Sequence, residues 1–118
     1  MTSSRNNTVY KNDVCNNRNG IVLLNKSYDN LILDNNICNN FNGIKLSIGP
    51  YNNTIKSNKI KKCQFLAISM GQSDNNWDNN YWNRPRLFPK IIFAYVLIGQ
   101  KRVPYFIADI DWNPARKL

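Results

Sequence analysis

Asparagines return every 23 residues, at Asn7, Asn30, Asn53 and Asn76, and a whole pattern of neighbours returns with them. Segments 7–23 (NTVYKNDVCNNRNGIVL) and 30–46 (NLILDNNICNNFNGIKL) match at Asn12 and Asn35, Val14 and Ile37, Cys15 and Cys38, and Gly20-Ile21 and Gly43-Ile44. A third copy keeps Ile55, Asn58 and Ile60 in register but has Leu66 where glycine stood. Such a period means one small unit per copy, which buries its apolar side only by stacking on its neighbours.

Within each copy the apolar residues are spaced by two, as in Ile21 and Leu23 or Ile44 and Leu46 with Lys45 between. That is strand spacing, with the apolar pair inward and the lysine outward. Helix is disfavoured, because Asn, Gly and β-branched residues crowd every copy. Three inward columns follow: Val9, Ile32 and Ile55; Val14, Ile37 and Ile60; Ile21 and Ile44. Three columns suit a triangular coil. The expected fold is all-β, a right-handed single-stranded parallel β-helix of about three to four coils, with the repeats in residues 1–82 and a hairpin-like cap in 83–118. Asn12, Asn35 and Asn58 fall at one bend of successive coils, where stacked amides can form a ladder and Asn tolerates a left-handed backbone. Gly20 and Gly43 open the third strand, and positive φ is the expected reason for them.

Residues 5–82 resemble right-handed parallel β-helix proteins, whose repeat occurs in NosD-type copper-processing proteins, pectate lyases and many archaeal surface proteins. The carriers are the 23-residue spacing, the N-x-I-x-x-N-x-I rhythm, and Asn-Gly-Ile at 19–21 and 42–44. The resemblance implies an extracellular or cell-surface setting. It does not fix an activity, because this scaffold hosts lyases, hydrolases, binding modules and stalks alike.

Asparagine also marks a boundary: 21 of the first 83 residues are Asn, but only Asn113 among the last 35, which hold four of the five prolines. The tail reads as two strands around a turn, Ile91–Ile98 and the run before Asp111. Its W-x-R-P-R (Trp82, Arg84, Pro85, Arg86) and D-W-x-P-A (Asp111, Trp112, Pro114, Ala115) look like the C-terminal segment of archaeal β-helix proteins. The simplest role is a cap over open strand edges. A sharper one is docking on another envelope protein, with Trp82, Arg84, Arg86 and Trp112 as anchors.

No run approaches the roughly 18 apolar residues of a membrane span, and the N-terminus has no secretion signal. The repeat is in full stride at Asn7 without a polar cap, so an upstream segment is expected, or self-association through the open first coil. Sixteen Lys and Arg against seven Asp give +9, but the charges are scattered and no nucleic-acid-binding motif accompanies them.

The absence of histidine removes most acid-base, triad and metal designs, and no metal or cofactor is expected. Cys15 and Cys38, one coil apart, come within disulfide range, and two thiols could take a soft metal. Stacked like residues are, however, what any repeat produces, and that plain reading is preferred; Cys63 falls two positions out of their register. Among the carboxylates, Asp109 and Asp111 share one strand face and Asp74 and Asp78 are placed in the last bend; either pair could be catalytic or do turn and capping work. Lys56, Lys59, Lys61 and Lys62 form the only basic concentration, a candidate site for an acidic sugar or phosphate.

The preferred function is a non-enzymatic β-helix module of a larger extracellular or envelope protein, acting as a scaffold or binding polysaccharide. The alternative is a fragment of a polysaccharide lyase or glycoside hydrolase whose active site lies upstream.

Overall fold

The structure is a computed structural model that describes residues 1–71, 73–83, 88–98 and 101–116, without the side chains of 95–98, 101–106 and 108. Each of the first three coils lays down three short strands, one per wall of a prism, and the fourth lays down two. The first wall stacks β1 (Thr8–Tyr10), β4 (Leu31–Leu33), β7 (Tyr51–Lys56) and β10 (Asp74–Asp78). The second stacks β2 (Asp13–Cys15), β5 (Asn36–Cys38), β8 (Lys59–Lys61) and β11 (Tyr81–Trp82). The third stacks β3 (Asn19–Leu24), β6 (Asn42–Ser47) and β9 (Phe65–Met70). Every pairing within these walls is parallel.

The remaining strands, β12 (Lys90–Ile98) and β13 (Lys101–Asp111), pair antiparallel as a hairpin. β12 also pairs with β9, and β13 with β10. The hairpin thus joins the first wall to the third across the last coil and makes one nine-stranded sheet. It lies over the edges of both walls at that end, touching β9 at Ala94–Ser69 and β10 at Trp77–Asp111, where other chains would otherwise add on.

The interior columns are those that the period implies: Ile32 pairs with Ile55, Ile37 with Ile60 and Ile21 with Ile44, and all six are buried. Each fully buried isoleucine contributes about 1.5–3 kcal/mol. In the fourth coil tryptophan replaces isoleucine, with Trp77 beneath Ile55 and Trp82 beneath Ile60. Their rings lie 5.6 Å apart and fill the end of the core, together with Ile92 from the hairpin. At the other end Met1 packs on the core, and its amino group donates to the Val22 carbonyl at 2.7 Å.

Three expectations are corrected in detail. The left-handed residue at each bend is not the stacked asparagine but the residue before it: Lys11 (φ 54°), Asp34 (55°) and Ser57 (55°) precede Asn12, Asn35 and Asn58. Gly20 and Gly43 lie inside β3 and β6 and are absent from the positive-φ positions; they are required by close approach. A methyl group on Gly20 would collide with the Gly43 carbonyl, and one on Gly43 with the Leu66 carbonyl, both one coil further on. Leu66 is tolerated because it lies near the start of β9, the last strand of that wall, and β12 pairs with β9 further along, at Ala94–Ser69. Finally, Asn76 is not the fourth member of its column. The register slips between Asp74 and Asn76, and Asn75 takes the place, 22 residues after Asn53.

The cysteines also differ from the plain reading. Cys15 and Cys38, register partners on β2 and β5 with Cα atoms 4.6 Å apart, are joined in a disulfide. Equivalent residues on stacked parallel strands fall within the bridging distance of about 4.4–6.8 Å.

Candidate functional site

Two asparagine ladders run the length of the prism. In the corner between the first and second walls, the Nδ2 atoms of Asn12, Asn35 and Asn58 donate to Oδ1 of Asn35, Asn58 and Asn80 at 3.1, 3.0 and 3.1 Å. The same Oδ1 atoms accept the backbone N–H groups of the preceding asparagines, and a second Nδ2 proton reaches back to a carbonyl: Asn35 to Val9, Asn58 to Ile32, Asn80 to Ile55. Each buried amide is thereby satisfied, as a dry corner requires. A second ladder, Asn7 to Asn30 to Asn53 to Asn75, has the same geometry.

Both ladders end on a carboxylate from β13. Asp111 is fully buried and accepts from Asn80 Nδ2 (3.0 Å), Asn80 N (3.3 Å), Trp82 Nε1 (2.9 Å) and Asn113 N (3.1 Å). Asp109 accepts from Asn75 N (3.0 Å), Asn75 Nδ2 (3.2 Å) and Ser73 Oγ (2.9 Å). An ionised carboxylate only accepts, which is what the last rung of a donor chain needs. Of the two roles open to Asp109 and Asp111, the geometry is that of capping: both are buried, and both face donors of the chain itself.

The third corner is shorter. Asn17 N donates to Asn40 Oδ1 at 2.8 Å, and the next equivalent residue is Cys63, whose sulfur accepts from Asn40 in place of an amide oxygen. Burial pushes the Cys63 thiol up from its ordinary pKa, against the lowering effect of the Asn40 hydrogen bonds. It is the one free cysteine.

The outer faces carry the remaining candidates, and the structure divides them. Lys56 projects from the first wall, 4.0 Å from Asp78; Lys59 and Lys61 lie on the second wall; and Lys62 sits in the bend, its N–H on Asn83 Oδ1 at 3.1 Å. Four lysines adjacent in sequence therefore fall on two walls and a corner. Asp74 and Asp78 are on β10, not in a bend. Trp82 is fully buried, which removes it from the proposed surface anchors; it is a core residue held by Asp111. Trp112 is 73 % exposed, while Arg84 and Arg86 lie outside the described residues.

Sequence reasoning missed an exposed column on the first wall side, where Arg5, Tyr28, Tyr51 and Asp74 follow one another coil by coil. Tyr28 and Tyr51 stack with ring centroids 5.1 Å apart and planes 7° from parallel. Arg5 Nη1 donates to the Tyr28 hydroxyl at 3.1 Å, and that bond holds the guanidinium above its ordinary pKa. The 23-residue spacing of Tyr28 and Tyr51 is the signal that could have found them.

Fold and ladders together define a parallel β-solenoid with a hairpin closing its C-terminal coil. The chain belongs to the family described as periplasmic copper-binding protein (NosD), whose model matches residues 1–87. Neither the curated proteins nor the solved structures yield a match. Among the described residues no helix is long and apolar enough to cross a membrane.

Proposed function

We propose that this chain is a non-enzymatic scaffold module of a cell-envelope protein, and that it holds polysaccharide against its outer face. The observation that carries this reading is the use made of the buried polar groups. Asparagines of all four coils and both buried carboxylates hydrogen-bond one another, which stiffens the prism, and Asp109 and Asp111 are occupied as acceptors. What the first wall side offers outward includes the edges and hydroxyls of the stacked Tyr28 and Tyr51. Aromatic rings with a polar edge suit the alternating apolar and hydroxyl surfaces of a sugar. The family's periplasmic description agrees with an envelope setting.

Copper, the ligand in that description, does not fit the donor set of this chain. There is no histidine, two of the three cysteines are joined to each other, and among the described residues no group of three His, Cys, Asp or Glu side chains could hold a metal.

The test is co-sedimentation with insoluble polysaccharides, combined with assays for new reducing ends and for unsaturated uronate absorbance. Saturable retention without product is expected, and Tyr51→Ala should weaken it. Product formation by the purified chain would instead make it an enzyme.

A further inference from the structure

On the outer side of the last coil, β10 and β13 meet at the Trp77–Asp111 pair, and beside that pair lies a cleft of about 380 Å³. Asp74, Asn76, Ile110 and Trp112 line it, with Trp77 and Asp109 behind them. The alternation of strand residues explains the division: Asn75, Trp77, Asp109 and Asp111 are buried, so their neighbours Asp74, Asn76, Ile110 and Trp112 face outward. The register slip between Asp74 and Asn76 and the inward pull of Asp109 on Ser73 and Asn75 shape this end of the cleft.

We infer that the cleft is a saccharide subsite for an uncharged or amine-bearing sugar unit. The inference rests on the polysaccharide reading above and gives it a location and a ligand class. Its volume lies at the small end of the range for ligand clefts, about 300–1,000 Å³. Trp112 provides a large exposed indole on which the C–H face of a pyranose can lie. Asp74 provides a carboxylate that accepts from two adjacent hydroxyls or from an ammonium, and the Asn76 amide both donates and accepts. The charge sets the class. Although the chain carries +9, among the described residues the outward ionisable group in this cleft is Asp74, and the nearby Lys56 is already beside Asp78. A uronate would meet like charge here; a neutral or amino sugar would not. Asp74 also continues the column of Tyr28 and Tyr51, so the cleft adjoins the stacked rings.

Fluorescence reads this cleft selectively, because Trp77 and Trp82 are buried and Trp112 is exposed. Acrylamide quenching would be followed during titration with neutral chito-oligosaccharides, amine-bearing chitosan oligomers and acidic oligogalacturonates. Titration calorimetry on Trp112→Ala and Asp74→Asn, both surface changes, would run in parallel, with circular dichroism to check the fold. Protection of Trp112 by the neutral or amine-bearing oligomers is expected, with affinity falling about tenfold in each variant. Equal affinity in both variants, or a preference for oligogalacturonate, would overturn the cleft and leave polysaccharide binding standing elsewhere on the wall. If none of the three probes binds and insoluble polysaccharides are not retained, both readings fail.

Discussion

The corner that carries Asn12, Asn35, Asn58 and Asn80 ends on buried Asp111, whereas the corner that carries Asn17 and Asn40 stops at Cys63. Both bends present the same backbone problem, a left-handed residue followed by a side chain that must satisfy polar groups out of water. The long corner solves it with a continuous chain of donors closed by a charge. The short corner has one rung, a weak sulfur acceptor, and a disulfide two residues earlier that links the same two coils. A covalent tie thus stands where the ladder is shortest. It also holds the coil whose inward residues, Val9 and Val14, are only half-buried.

The contrast can be broken at either corner. The largest effect is expected from Asp111→Ala, which leaves three buried donors and the half-buried Asn113 N–H without their acceptor and should cost about 4 kcal/mol in urea unfolding. A loss no greater than that of an exposed Asp→Ala control would show that the long ladder needs no terminal acceptor. Next comes the disulfide. Replacing Cys15 and Cys38 by serine should cost about 3 kcal/mol, since the bridge closes a loop of 23 residues. Amide exchange should accelerate in β1 to β3 and stay unchanged in β7 to β10; uniform acceleration would mean that the tie supports the whole prism. The smallest effect sharpens the comparison. Cys63→Asn places an amide at the third rung of the short corner, where Lys62 already has the required φ of 54°. It should raise stability by about 1 kcal/mol, and no gain would mean that the sulfur serves as well as an oxygen.

Much of this was legible in the sequence, and the gaps have physical causes. The columns through Ile32, Ile37 and Ile44 follow from the period, because parallel stacking puts equivalent residues in contact. The ladder through Asn12, Asn35 and Asn58 follows for the same reason. Asn75 was hidden because the fourth coil is one residue shorter, so a strict period points to Asn76. The ladder ends were hidden because Asp109 and Asp111 lie 34 and 31 residues beyond their partners, across the hairpin. Gly20 and Gly43 were found but misread: their sequence context suggests a bend, while the constraint is the carbonyl of the next coil. Trp82 looked like a surface anchor because nothing local reveals that it continues the Val14 column.

The direction in which the amides donate has a consequence for how such an array can lengthen. An asparagine hands the pattern on to the next coil; an aspartate receives it and has no proton to pass further. The difference between an NH2 group and an oxygen at Asp109 and Asp111 therefore acts as a full stop. A duplicated coil inserted ahead of Asn75 would find donors on one side and acceptors on the other. The same coil inserted after Asp111 would find no donor for its amide oxygens, so the ladder has an extendable side and a closed one.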